Sequence, residues 1–142
     1  MRRINTVYPV RYRQYAKVVV MQKEKQLKKY VKDAVCQVKE YIDQHPLEKI
    51  NIDDLASEYG ITRKVLQTVF KLLFGKKIKE YTVIKRLEAG QILLLEGRLT
   101  REQIAARCGY KSGSNFNTAF KTHYKQTPAN WIRQQDASNT NA

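Results

Sequence analysis

Two stretches of this chain begin a helix by the same device, forty-nine residues apart. In Ile50-Asn51-Ile52-Asp53-Asp54-Leu55-Ala56, Asn51 is placed to cap a helix, and Ile50 and Leu55 are spaced as a hydrophobic staple. Leu99-Thr100-Arg101-Glu102-Gln103-Ile104-Ala105 repeats the arrangement: Thr100 caps, Gln103 completes a capping box, and Leu99 and Ile104 form the staple. Each short helix then meets a glycine at the same offset, Gly60 and Gly109, suited to a left-handed C-cap, followed by Ile61 and Tyr110.

The segments after those glycines match at an offset of fifty. Leu66, Val69 and Phe70 correspond to Phe116, Ala119 and Phe120, apolar positions at i, i+3, i+4 that face a core. Lys64, Gln67, Thr68 and Lys71 occupy the opposite side at i, i+3, i+4, i+7, and Ser114, Asn117, Thr118 and Lys121 repeat that spacing. Each unit is therefore a short helix, a glycine turn and a longer helix with a polar, basic outer face.

Around the units the pattern is also helical. Leu27, Val31, Ala34, Val35, Val38 and Ile42 recur at three- and four-residue steps, predicting amphipathic helix from Met21 to about Gln44, as one helix or two, ended by His45-Pro46. The first 20 residues show no helical period and read as a disordered arm or a lone strand. Residues 78–96 form a helix closed by Gly97, apolar on more than one face, as packing against both units requires. Thr127-Pro128 starts a last helix that buries Trp131. The expected fold is all-α: two helix-turn-helix subdomains joined by a long central linker helix, preceded by a basic N-terminal arm and helix. The expected divisions are 1–34, 35–133 and a disordered tail, 134–142.

Charge points to the partner. Lys+Arg of 27 against Asp+Glu of 13 gives +14, and residues 1–33 alone carry a net +8. Such an excess favours a polyanion. No run is long and apolar enough for a membrane span, and no apolar core of a signal peptide follows the basic start, so a reduced, cytoplasmic, nucleoid-associated setting is expected. Cys36 and Cys108 form no metal or redox motif and read as small core hydrophobes rather than sensor thiols. His45 and His123 read as surface or capping residues. Asp53 and Asp54 lie in a first helical turn, where the helix dipole favours them. No catalytic constellation, metal cluster or cofactor loop is visible; the chain reads as no enzyme, with no metal and no cofactor.

Helix, glycine turn and second helix is the pattern whose second helix enters the major groove of DNA. Gln and Asn pair bidentately with adenine, Lys reaches guanine, and Ser and Thr serve either base. Lys64, Gln67, Thr68, Ser114, Asn117 and Thr118 are the base-reading candidates. Thr62, Arg63, Lys71, Lys76, Lys77, Lys111, Ser112, Lys121 and Lys125 are candidates for phosphate contacts, which fix register without reading sequence. A merely solvated face is the alternative for one basic helix; its repetition with amides and hydroxyls favours the reading role.

Residues 35–133, some 70% of the chain, resemble the DNA-binding domain of the AraC/XylS family of bacterial transcription regulators. The resemblance rests on Leu55-Ala56, Gly60-Ile61-Thr62, Leu66, Phe70-Lys71 and Gly75 in the first unit. Tyr81, Arg86-Leu87 and Leu93-Leu94 carry it in the linker helix. In the second unit it rests on Ile104-Ala105, Gly109-Tyr110, Ser112, Ser114, Phe116, Phe120-Lys121, Thr127-Pro128 and Trp131. It implies recognition helices over 62–74 and 112–124 in a sequence-specific regulator of transcription that reads two adjacent major-groove segments, and it implies activation by touching RNA polymerase. Four departures carry expectations: Gly90, where the family has alanine, softens the linker helix; Lys125, in the place Gly75 fills in the first unit, ends its helix differently; Ile132, where an arginine is common, removes one phosphate or salt-bridge contact; and Thr68 and Thr118, where an arginine often reaches the DNA, shift base contacts to Lys64, Gln67, Ser114 and Asn117. The other reading of the chain is a non-specific or architectural nucleic-acid-binding protein. Residues 1–34 are open between a basic arm adding DNA affinity, a dimerising helix through Leu27, Val31, Ala34 and Val38, and a linker stub.

Overall fold

The computed structural model describes residues 10–141, all of their regular structure helical. The helices are α1 (Val10–Gln44), α2 (Ile52–Glu58), α3 (Arg63–Phe74), α4 (Ile78–Glu96), α5 (Arg101–Arg107), α6 (Gly113–Tyr124) and α7 (Pro128–Thr140). Two apolar clusters organise them. The first gathers Val35, Val38 and Ile42 of α1, Leu55 and Ala56 of α2, Leu66 and Phe70 of α3, and Ile78 at the start of α4. The second gathers Leu87 and Leu93 of α4, Ile104 and Ala105 of α5, Cys108, and Phe116 and Phe120 of α6. Trp131 of α7 is half-buried, its ring edge-on to Phe120 at 6.0 Å.

Helix α1 is one unbroken helix of 35 residues, not an arm followed by a helix. Residues 10–20, expected to be disordered or extended, are helical; residues 1–9 lie outside the described part. The absent period has a physical cause, since none of the described side chains in this half of α1 enters a core that would select one. Good helix formers such as Lys, Gln, Glu and Met carry the chain instead. The dimer seam drawn through Leu27, Val31, Ala34 and Val38 does not survive: Ala34 and Val38 lie in the chain's own core and Val31 packs against it. Cys36 is exposed rather than buried, one helical step off that stripe. The tail expected to be disordered from 134 continues α7 to Thr140.

The C-terminal half of α1 braces the first unit against α4. Tyr81 donates a hydrogen bond to Asp43, Lys39 pairs with the same carboxylate at 2.7 Å, and Lys85 stands 3.8 Å from it. Burial raises the Asp43 pKa, but the hydrogen bonds from Lys39 and Tyr81 outweigh it and hold the carboxyl below its ordinary range. From the α1–α2 connector, Leu47 packs against the second cluster. The linker helix runs over the expected residues and continues unbroken through Gly90. A Cβ there would stand 3.0 Å from the Phe116 ring and 3.2 Å from Cys108 Sγ, so the missing side chain is where α6 and the α5 turn settle onto α4.

Lys125 ends α6 as Gly75 ends α3, contrary to expectation. Both adopt the left-handed region, with φ 61° and 71°, and both donate a backbone N–H to the lysine four residues earlier. A side chain in this region costs about 1–2 kcal/mol, partly offset by the chain entropy glycine loses. Lys125→Gly should therefore raise unfolding stability by about 0.5–1 kcal/mol in denaturant melts, and an unchanged midpoint would show no strain at this turn.

Candidate nucleic-acid interface

Both units build their second helix by the same local chemistry. Asn51 Oδ1 accepts from the Asp53 N–H at 2.9 Å to start α2. Thr100 and Gln103 form the reciprocal capping box that starts α5. Each short helix then closes in a Schellman turn. Gly60 and Ile61 donate to Ser57 and Ala56, while Gly109 and Tyr110 donate to Ala106 and Ala105, all within 3.1 Å. The glycines hold φ of 69° and 76°, values that only glycine adopts without strain. Thr62 and Ser112 then cap α3 and α6, each hydroxyl accepting from the N–H three residues on at 3.2 Å.

The inner face of each second helix is fixed by two fully buried residues one turn apart, Leu66 with Phe70 and Phe116 with Phe120. On the opposite face Lys64, Gln67, Thr68 and Lys71 are exposed, as are Ser114, Thr118 and Lys121. Asn117 differs: it is half-buried, and its Oδ1 is enclosed without a hydrogen-bond partner. Thr118 donates its hydroxyl to the Ser114 carbonyl at 3.0 Å, so its lone pairs and methyl are what it offers a base.

Among the phosphate candidates, Lys71, Lys111 and Lys121 are exposed. Arg63 is paired with Asp53 at 2.8 Å, Lys76 stands 3.9 Å from Glu80, and Lys125 Nζ donates to the Thr122 carbonyl. These contacts are solvent-exposed and weak, and they leave donors free. Thr62 and Ser112 use their oxygens as cap acceptors, yet each hydroxyl proton remains available to a phosphate. Lys77 is the N-cap residue of α4 and makes no capping bond.

Gln67, Thr68 and Lys71 line one open cleft of about 790 Å³ together with Leu72, Ile78, Lys77 and Lys79. Leu72 is missing from the sequence-derived candidates although it is 80% exposed at the edge of the polar face. An apolar side chain there suits the thymine methyl group. The signal was an unpaired apolar residue eight positions after Lys64, where the second unit carries Thr122.

The acid in the first turn of each short helix has a role beyond the helix dipole. Glu102 Oε2 accepts the backbone N–H of Gly113, the first residue of α6, at 2.6 Å. Forty-nine residues earlier Asp53 holds the side chain of Arg63, the first residue of α3. One acid thus fastens the entry of each second helix, by a backbone bond in one unit and an ion pair in the other. Cys108 is fully buried, and that burial pushes its thiol up to about 11, in keeping with a core hydrophobe. His45 is exposed, stacks on Tyr41 at 4.4 Å and sits 3.0 Å from the Tyr41 carbonyl, while His123 is exposed beside Tyr124. No group of acids, cysteines and histidines that could hold a metal occurs among the described residues.

A family model described as a helix-turn-helix domain matches residues 55–134, both second helices included. The xylose operon regulatory protein of Escherichia coli K12 is 34% identical over 95 residues, 67% of this chain and 24% of its own length. The DNA-binding domain of AdpA, a global transcriptional factor solved in complex with a target DNA, superposes with a TM-score of 0.66 at 20% identity. That match covers 76% of this chain and 97% of that one. A transcriptional regulator with an AraC-type DNA-binding domain from Chromobacterium violaceum superposes with a TM-score of 0.64 at 26% identity, over 69% and 88% of the two chains. The matched segments span 24–37% of the length of the first curated relatives.

The two acids predict unequal effects. Glu102→Ala removes a charge-assisted bond to a helix N-terminus and should cost about 1–2 kcal/mol of unfolding free energy. Asp53→Ala removes an exposed ion pair and should cost below about 1 kcal/mol. Urea unfolding of both variants checks this, and equal losses would contradict the assignment.

Proposed function

Since the chain belongs to the AraC/XylS family of helix-turn-helix proteins, we propose that it regulates transcription by reading two adjacent major-groove segments of DNA with α3 and α6. The observation that carries this is the duplicated geometry: two capped helix–turn–helix units, each with its apolar side sunk in a core and, the half-buried Asn117 apart, its amide, hydroxyls and ammoniums outward. Lys64, Gln67, Thr68, Ser114, Asn117 and Thr118 read bases, with Leu72 beside them. Thr62, Arg63, Lys71, Lys76, Lys77, Lys111, Ser112, Lys121 and Lys125 hold phosphates. Pairing of Asn117 with adenine requires its side chain to turn out of the enclosed rotamer. A regulator of this kind works in the cytoplasm, where DNA and RNA polymerase are. The architectural reading is less well supported, because neutral amides and hydroxyls at matched positions add nothing to a purely electrostatic grip.

Selection from random duplexes followed by competition tests the reading: a site that survives excess random DNA supports it, and equal affinity for all duplexes overturns it. On the selected site Gln67→Ala and Asn117→Ala should each lose about 1–3 kcal/mol, with little change on random DNA. Asn117→Ala should do so without loss of fold stability, because the side chain it removes holds an unpartnered buried oxygen. Lys71→Ala should weaken both duplexes alike and flatten the salt dependence by roughly one unit.

The linker sets a mechanical demand. Its 19 residues span about 28 Å, whereas successive major grooves on one DNA face lie about 34 Å apart. Joint docking therefore bends the duplex or tilts the units, at a cost on the order of 1–6 kcal/mol. Circularly permuted fragments should migrate with position-dependent mobility; uniform mobility with both segments protected would exclude the bend.

A further inference from the structure

We infer that the N-terminal half of α1 is a second, sequence-independent DNA contact, laid on the phosphates that flank the segment read by α3. The inference rests on the reading of α3 as a groove helix. Lys25, Lys28, Lys29 and Lys32 stand at i, i+3, i+4 and i+7 on one face of α1, with Lys17 two turns further along the same face. All five are exposed, and Glu24 and Asp33 are the only acids between residues 14 and 33. Lysines stacked at this spacing repel one another and weaken a helix left to itself. A polyanion running along the stripe reverses the sign of that term.

The direction follows from two contacts. The Tyr30 hydroxyl donates to the Tyr59 carbonyl at 3.1 Å, beside the turn that enters α3. The Lys39 ammonium lies 5.7 Å from the Phe74 ring, at the last residue of α3. Helix α1 therefore runs alongside α3 in the same sense, and everything before Tyr30 overshoots the N-terminal end of α3. That is the end a recognition helix turns to the base edges, so the overshoot travels towards the duplex. From Lys32 back to Lys17 the stripe is about 22 Å long, equal to six or seven base pairs of backbone at about 3.4 Å each. The contact is one-sided: it lies outside the α3 segment and has no counterpart beyond α6.

The test uses the full chain and its selected site on three duplexes: the site alone, the site with about ten base pairs added beyond the α3 segment, and the site with the same length added beyond the α6 segment. Affinity should rise about tenfold or more with the first flank and not with the second. The quadruple variant Lys25→Gln, Lys28→Gln, Lys29→Gln, Lys32→Gln should bind the bare site like the parent and lose the flank effect, with the salt slope falling by about three units. Circular dichroism of the variant verifies that α1 is still helical. Equal affinity for all three duplexes overturns the inference and leaves the reading of α3 and α6 standing, whereas failure to select any site removes both. A flank effect on the α6 side overturns it as well. A variant that changes sedimentation but not flank dependence marks this half of α1, with its exposed Val20 and Leu27, as a self-association surface instead.

Discussion

A helix can offer amides and ammoniums to a partner only if its other side is held fast, and here two apolar residues per helix do the holding. Leu66 with Phe70 and Phe116 with Phe120 are completely withdrawn from water. Burial of each is worth on the order of 1.5–3 kcal/mol. The Phe70 ring meets Phe74 at 4.8 Å and Tyr81 at 5.4 Å, and Phe120 meets Tyr124 at 4.6 Å. Rotating either helix forward by one residue would draw a lysine, Lys71 or Lys121, into the core, at a desolvation cost that no contact there offsets. The aim of the outer face is therefore set from within.

The features most legible in the sequence were those written in short-range chemistry. Caps, glycine turns and i, i+3, i+4 spacing depend on neighbours within a turn or two, and they place α2 to α6 and both buried pairs almost to the residue. Legibility failed where a distant neighbour, or its absence, decides. The first half of α1 carries no period because none of its described side chains lies in a core, so its helix escaped a reading based on periodicity. Cys36 sits among apolar residues in sequence but turns away from the stripe they form. At Gly90 the sequence shows the cost in helix propensity but not the gain in packing, because Phe116 and Cys108, which approach it closely, lie a helix or more away. The matched acids Asp53 and Glu102 were visible in the repeat, yet what they grasp lies one helix later.

The two units are alike in plan and unlike in finish. The first leans on α1 through the Asp43, Tyr81 and Lys39 cluster, and its groove face carries an exposed Leu72. The second has α7 in the place of α1, a backbone clasp at Gly113, a strained Lys125 and an asparagine with an enclosed carbonyl. Apolar residues at matched positions support both, and the differences reach the polar side at Leu72 and Asn117.

Helix α4 gives its first turn, through Ile78 and Tyr81, to one core and its remaining turns, through Leu87 and Leu93, to the other. Leu47 crosses in the opposite direction, from the first unit's connector into the second core. Unravelling either half therefore strips apolar cover from the helix that completes its neighbour. Such sharing ties the two halves into a single cooperative melt rather than two independent ones. A chain cut inside α4 would leave two fragments, each holding an orphaned hydrophobic edge and neither self-sufficient.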